Sequence, residues 1–235
     1  MSMTTEAFER IRDAIVSGGL EFGEPLSETQ IANALGMSKA PVRAAFIALR
    51  DKGLVVVVPQ SGTYVFSPTA EDVLTMSRFR ALLEDEALRE SMRRNPGRVL
   101  ARLETAIAAM ARALKRSDWD GYRRHDSAFH AAFLEECDNR YIERAYLLTS
   151  TALEALRVRL QGGEGGYRVR SFREHEAIAA HLAAGDIDAA AELLRDHILV
   201  INDWVRSHPL PGDRISRKDK PEDRDYAAMF SARRA

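Results

Sequence analysis

Residues 26–66 of the chain read LSETQIANALGMSKAPVRAAFIALRDKGLVVVVPQSGTYVF. Apolar residues recur at helical spacing over 27–35 and over 38–52, and Gly36 allows a tight turn between the two predicted helices. The β-branched and aromatic residues concentrated at 54–66 predict two short strands joined by a turn. This part of the chain therefore predicts a helix-turn-helix followed by a β-hairpin.

The second predicted helix carries the charge expected of an element that contacts DNA. Ser38 is its predicted N-cap, and Lys39 and Arg43 lie four residues apart, on one face near the N-terminal end. Between residues 37 and 52 there are four cations against one acid, a local charge of +3. The hairpin then forms a wing whose tip can approach the minor groove or phosphates, because Gly62 has no side chain. The predicted DNA contacts are Ser38, Lys39, Arg43, Arg50, Gln60, Ser61 and Gly62.

A helix-turn-helix also occurs as a plain packing motif, so its geometry alone does not define a function. The net charge of −1 gives the whole chain no electrostatic attraction to nucleic acid, and DNA binding must depend on the local basic face. The tight turn, the basic face and the hairpin occur together in one short segment. This combination favours double-stranded DNA as the partner.

Composition places the chain among ordinary globular proteins. Of its 235 residues, 46% are hydrophobic and 29% charged, which excludes a disordered or collagen-like chain. No apolar run approaches the roughly 18 residues of a membrane span, and the N-terminal residues lack the order of a secretory signal. The single cysteine, Cys137, cannot form an internal disulfide. We therefore expect a cytoplasmic protein without membrane contact.

Beyond residue 67 the sequence is rich in Ala, Leu, Arg and Glu at helical periodicity. The expected fold is mainly α, with the winged helix-turn-helix at 1–67 and an all-α bundle of about six helices at 68–206. From about residue 207 the periodicity is lost, and an extended or disordered tail to residue 235 is predicted, with a short helix near 226–230. The helix breaks are predicted at 95–97, 117–118, 138–139, 162–166 and 184–186.

Polar groups in the predicted bundle fall on apolar helix faces. Asp126 and His130 are spaced i, i+4, so both can bind one ion, and they share a face with aromatic residues. His175 and His197 each lie on the apolar stripe of a separate helix. A single buried histidine is more often a core residue that hydrogen-bonds to a carbonyl or an acid. Four such groups favour a shared divalent metal, Zn, Ni, Mn or Co, with open positions for a ligand.

Three alternatives remain open for this region. Arg80 falls on an apolar stripe, which points it inward to meet a carboxylate, but an exposed i, i+4 pair with Glu84 is equally compatible with the sequence. The Asp and His residues would also suit a metal-dependent hydrolase or oxygenase, for which Glu84 is the one inward acid that we can assign as a general base. A metal that only clamps the bundle is the third alternative.

The N-terminal segment resembles the winged helix of the GntR family of bacterial transcription regulators. The resemblance rests on 26–32, 35–45, 49–54 and 62–65, and its most specific part is Ser38-x-x-Pro41-Val42-Arg43. The chain has Lys39-Ala40 where the family usually has Arg-Thr, and residues 44–46 are Ala-Ala-Phe instead of Glu-Ala-Leu. The resemblance implies that Arg43 reads a guanine.

The C-terminal segment resembles the all-helical effector domain, the FCD domain, of the FadR-type subgroup of this family. The matching motifs are Arg80-x-x-Leu83-Glu84, Asp126-x-x-Phe129-His130, Asn139 three residues before Ile142, Glu174-His175, Gly185-Asp186 and His197-Ile198. The resemblance implies a metal held by Asp126, His130, His175 and His197, and a small carboxylate effector bound near Arg80 and Asn139. It further implies a homodimeric, ligand-responsive regulator, most simply a repressor, and not an enzyme.

Overall fold

A computed structural model describes residues 2–148, 150–161, 165–207, 210 and 225–231. It contains two compact units. The first comprises the described residues of Met1–Val73, Leu148–Leu160 and Val205–Ala235, and the second those of Leu74–Leu147 and Gln161–Trp204. The domain ranges 1–67, 68–206 and 207–235 stay a prediction. No helix in the described ranges is long and apolar enough to cross a membrane.

The N-terminal part of the first unit has the predicted helix-turn-helix and hairpin. Its elements are α1 (Met3–Val16), β1 (Pro25–Leu26), α2 (Glu28–Leu35), α3 (Lys39–Asp51), β2 (Val55–Val58) and β3 (Gly62–Val65). The strands form an antiparallel sheet in the order β1-β3-β2, with Val55 opposite Val65 and Val58 opposite Gly62. The two-residue strand β1 was not predicted.

Local residue chemistry explains the ends of the two central helices. The Ser27 hydroxyl accepts from the Gln30 amide and caps α2, which ends at Gly36 in the left-handed conformation with φ 67°. Ser38 occupies the predicted N-cap position of α3, but its side chain makes no capping hydrogen bond and stays exposed. Ser38 therefore occupies the N-cap position, as predicted, but its side chain does not cap the helix.

The first unit also contains a short helix formed by residues 226–231. This helix, α12 (Tyr226–Ser231), lies at the predicted position and contacts α1 and α2, with Tyr226 and Phe230 buried. Arg10 on α1 donates a hydrogen bond to the Phe230 carbonyl. The extended or disordered tail predicted from residue 207 falls largely on 208, 209 and 211–224, which lie outside the described residues.

The regular elements described between residues 70 and 207 are all helices; most of them belong to the second unit, and residues 150–160 belong to the first. These helices are α4 (Ala70–Arg94), α5 (Pro96–Arg116), α6 (Trp119–Glu136), α7 (Arg140–Tyr146), α8 (Ser150–Gln161), α9 (Gly165–Ala183), α10 (Ile187–Leu199) and α11 (Ile201–Ser207). Over the described part of 70–207 there are thus eight helices rather than about six. The additional ends lie near residues 148 and 200, where no glycine or proline marks a break.

The other helix ends of this region follow the predicted punctuation. Pro96 is in the first turn of α5, where no amide donor is needed, and Asp118 caps α6 by accepting from the Gly121 amide at 2.8 Å. Gly185 has φ 80° between α9 and α10. The break predicted at 162–166 lies partly outside the described residues. Tyr122, Phe129 and Phe133 of α6 line the core of the second unit, and Asp126 and His130 share that buried face.

Candidate metal centre and DNA-binding helix

All three cations that we predicted on α3 as DNA contacts are exposed. Residues 39, 43 and 50 fall within about 40° of one another around a helix, so Lys39, Arg43 and Arg50 form one basic stripe. Arg43 is held by Glu28 of α2, with Nη2 2.9 Å from Oε2 and Nε donating to Oε1 at 3.1 Å. Arg50 pairs with Asp51 at 2.9 Å. To bind DNA, Arg43 would have to exchange its contact with Glu28, and Arg50 its contact with Asp51, for contacts with DNA.

The hairpin tip presents the three predicted wing residues in a tight turn. Gln60 and Gly62 are exposed, and both have positive φ, 61° and 140° respectively. The Ser61 hydroxyl lies 2.8 Å from the Tyr64 hydroxyl, which ties the tip to the buried face of β3. The tip is thus an ordered turn on the same unit as α3, and its contact with DNA stays a prediction.

Four polar side chains from three helices meet inside the second unit. Asp126 and His130 come from α6, His175 from α9 and His197 from α10, and their exposed fractions are 1%, 1%, 0% and 7%. One candidate ligand atom from each lies within 4.8 Å of the others. We call these residues the Asp/His cluster. The structure brings together all four residues that we predicted as metal ligands, and the group could hold a metal ion.

Two glutamates orient the histidines of the cluster. His130 Nδ1 lies 2.6 Å from Glu84 Oε2, and His197 Nδ1 lies 2.7 Å from Glu174 Oε2. Because a carboxylate accepts the Nδ1 proton in each pair, Nε2 keeps its lone pair and is available to a metal. The His130 Nε2 atom lies 3.4 Å from His175 Nε2. The nitrogens that would coordinate an ion therefore face one another.

The protonation states of these groups suit metal binding. Burial lowers the pKa of His130 below its ordinary value and that of His197 to about 4, although the neighbouring carboxylates act in the opposite direction. Both imidazoles are neutral near pH 7, the form that binds a metal. Burial alone would raise the pKa of Glu84, but Arg80 and His130 hold it well below its ordinary value. Glu84 is therefore an anion that accepts hydrogen bonds.

Arg80 points inward, as one alternative predicted, and pairs with Glu84, but the exposed surface pair of the other alternative is wrong. Its side chain is buried, 5% exposed, and its Nε donates to Glu84 Oε1 at 2.5 Å. The i, i+4 pair therefore exists, but inside the protein instead of on its surface. Arg80 Nη2 is a buried atom without a hydrogen-bond partner among the described residues. Tyr146 lies beside this pair, and burial raises the pKa of its hydroxyl.

The structure gives Asn139 a local role. Its Oδ1 accepts from the backbone amides of Tyr141 and Ile142 at 3.1 and 3.3 Å, so Asn139 caps α7. Its contact with an effector stays a prediction. The roles of Glu174 and Tyr146 were not predicted from sequence, although the Glu174-His175 dipeptide marks a charge next to an inward histidine.

Comparison with known proteins gives the class of protein. A family profile described as "Bacterial regulatory proteins, gntR family" matches residues 3–65, and one described as "FCD domain" matches residues 75–199. The protein is thus a DNA-binding transcription regulator with a helical effector domain. It belongs to the GntR family, within the group that carries an FCD domain.

Individual relatives agree with this assignment. An uncharacterized HTH-type regulator of Agrobacterium vitis is 34% identical over 53% of this chain and 74% of its own length. The HTH-type transcriptional repressor RspR of Escherichia coli is 26% identical over 86% of this chain and 88% of its own length. The crystal structure of a putative GntR regulator from Rhodococcus sp. RHA1 has a TM-score of 0.73 at 26% identity, covering 88% of this chain and 99% of that one.

The enzyme alternative finds no support in these comparisons, because the family and its relatives are regulators. The general base that it required is also engaged in other contacts. Glu84 accepts from both His130 and Arg80. It acts as a hydrogen-bond partner of these two side chains.

Proposed function

We propose that the protein is a homodimeric repressor whose affinity for operator DNA changes when a small organic acid binds beside a divalent metal in the effector domain. The observation that carries this proposal is the buried Asp/His cluster, joined through Glu84 to the buried guanidinium of Arg80. Such a group combines ligands for a cation with an arginine for an anion. Together they suit a ligand that carries a carboxylate.

The donor set supports a transition metal. Three imidazole nitrogens and one carboxylate oxygen suit Zn, Ni, Mn or Co, and the oriented Nε2 atoms of His130 and His197 match the way histidines bind such ions. When bound, the metal would supply coordination positions for oxygen atoms of an anionic ligand. Glu84 and Glu174 would hold two of the imidazole rings in place.

Arg80 supports a carboxylate as the effector. A guanidinium is a planar fork that matches the two oxygens of a carboxylate. Burying Nη2 without a hydrogen-bond partner is unfavourable, and a carboxylate oxygen would satisfy it. The Tyr146 hydroxyl lies beside the pair and interacts with both Arg80 and Glu84. A small anion would therefore interact with both the cluster and Arg80.

Two winged helices in a homodimer would bind two half-sites of a pseudo-palindromic operator. Repression is the direction suggested by the relative RspR, which is named as a repressor. The proposed contacts are Ser38, Lys39, Arg43, Arg50 and the wing tip at Gln60, Ser61 and Gly62. A cytoplasmic location follows from the function and stays a prediction.

Replacing Arg43 with alanine is expected to weaken specific DNA binding by about 1–3 kcal/mol and to relax the preference at one base pair. The reason is that Arg43 is exposed near the start of α3, where a guanidinium can bind a guanine bidentately. Fluorescence anisotropy on a duplex selected by the protein, and on its single-base variants, measures both effects. Arg43→Lys keeps the charge and is the matched control. Unchanged affinity and base preference in Arg43→Ala would show that α3 reads DNA through other residues.

DNA binding in the presence of metal and carboxylate tests the effector proposal. The probe is a duplex selected from a random library by the full-length protein, titrated after chelation, after adding Zn or Mn, and after adding a panel of small mono- and dicarboxylates. We expect at least one acid to change the affinity about 5- to 150-fold, and only with metal present. The Arg80→Lys variant should bind metal and DNA but respond more weakly. A wild-type response that is equal after chelation contradicts a metal-dependent effector.

A further inference from the structure

Two parallel stripes run along the exposed face of α3. The first is the basic stripe of Lys39, Arg43 and Arg50. The second consists of Ala40, Ala44 and Ile47, which follow the i, i+4, i+7 spacing of one helix face; Ala40 and Ile47 are exposed and Ala44 is half-buried. Ile47 is 48% exposed. The outer surface of α3 therefore has a cationic side and an apolar side.

Ile47 is not among the residues of α3 that form the core of the unit. The core-facing residues of α3 are Val42, Ala45, Phe46 and Leu49, each at most 2% exposed. Single exposed apolar residues are common on protein surfaces. Ile47, however, is β-branched, and Ala, Arg or Lys at this exposed position would stabilise the helix more. Its position on the outward face of the DNA-contacting helix offers a specific use for its methyl groups.

We propose that Ile47 reads the C5-methyl group of a thymine in the operator, with Ala40 and Ala44 allowing close approach to the base edges. The thymine methyl is the apolar group that a base pair displays in the major groove, and apolar side chains recognise it. The small alanine side chains leave room for α3 to approach the groove floor. The inference rests on DNA binding through α3 and is independent of the metal and effector proposals.

In this assignment α3 makes two kinds of base contact, one polar and one apolar. Arg43 would donate hydrogen bonds to a guanine. Ile47, four residues later, would contact a thymine farther along the groove. Because residues 43 and 47 are about 6 Å apart along the helix axis, the two bases would be near neighbours in one half-site. Lys39 and Arg50, at the ends of the basic stripe, would serve phosphates.

The test replaces thymines in the DNA by deoxyuridine, which removes the methyl and leaves the pairing unchanged. A duplex selected from a random library by the full-length protein is resynthesised with one uracil at a time, and each is titrated by fluorescence anisotropy. We expect one or two positions per half-site at which uracil weakens wild-type binding about fourfold, the effect of about 0.8 kcal/mol for one buried methyl-sized group. At these positions Ile47→Ala should bind thymine and uracil equally.

Met3→Ala is the matched control, since it removes an exposed apolar side chain, 52% exposed, from α1. It should keep the wild-type discrimination between thymine and uracil. Arg43→Ala should lose affinity and still distinguish the two bases. Selected duplexes without a methyl-sensitive thymine, or discrimination that persists in Ile47→Ala, would overturn the proposal. Because the uracil substitutions act on the DNA, a wild-type result cannot be confused with misfolding.

Discussion

His175→Ala is expected to abolish stoichiometric metal binding by the purified protein. His175 Nε2 lies close to two other members of the Asp/His cluster, 3.4 Å from His130 Nε2 and 3.7 Å from Asp126 Oδ1. Alanine leaves two imidazoles and one carboxylate around an enlarged cavity. Loss of a hydrogen-bond partner of a ligand weakens metal binding about 10- to 100-fold, so loss of the ligand itself should exceed about 100-fold.

Metal content measured by mass spectrometry, and competition with a chromophoric chelator, give the two readouts. His181→Ala is the matched control, because His181 lies on the same helix with its side chain 43% exposed. Bound metal should raise the melting temperature of the wild type and of this control, but not that of His175→Ala. If the wild type takes up no Zn, Ni, Mn or Co on reconstitution, the four residues are a hydrogen-bonded core and the effector proposal fails.

Helical spacing was sufficient to predict the members of the cluster but not their surroundings. Asp126 and His130 are one turn apart, and His175 and His197 each interrupt an apolar stripe, so their burial follows from sequence. The pairing of His197 with Glu174 depends on how α9 and α10 pack, which no local pattern encodes. The same is true of the contact between Glu84 and His130, because the sequence indicated Glu84 only as an i, i+4 partner of Arg80 and as the general base of the enzyme alternative.

Elements without a local signal were missed for similar reasons. The strand β1 has two residues, one of them Pro25, and forms because β3 offers an edge to pair with. A helix near 226–230 was predicted, but its packing on α1 and α2 was not, because a run of five apolar residues does not specify the surface that it covers. Residues near 148 and 200 end helices without Gly or Pro, so helical periodicity continues across them.

Glu84 should have two separable effects, one on stability and one on metal affinity. It is fully buried, 0% exposed, and accepts hydrogen bonds from Arg80 Nε and His130 Nδ1. Removing the carboxylate leaves the guanidinium of Arg80 as an uncompensated buried charge. Breaking a buried ion pair in this way costs about 3–5 kcal/mol. We expect Glu84→Gln and Glu84→Ala to lower the free energy of unfolding of the chelated protein by this amount.

The two variants should differ in metal affinity. Glutamine keeps an amide oxygen that can accept the His130 Nδ1 proton, so the imidazole stays oriented, whereas alanine removes that acceptor. Metal affinity by chelator competition should therefore fall about 10- to 100-fold in Glu84→Ala and much less in Glu84→Gln. Glu174→Gln, at a position 16% exposed, is the matched control and should lose less stability because solvent screens the remaining charge.

Replacing Arg80 together with Glu84 tests whether the unpaired charge of Arg80 causes the loss of stability. In the double variant Arg80→Met/Glu84→Gln no buried charge remains unpaired, and Met fills much of the volume of the arginine stem. Its unfolding free energy should recover most of what Glu84→Gln loses, while any response of DNA binding to carboxylates should disappear with Arg80. Urea unfolding monitored by circular dichroism measures the first effect. If Glu84→Gln is within about 1 kcal/mol of the wild type, the Arg80 guanidinium finds compensation elsewhere, and Glu84 serves His130 alone.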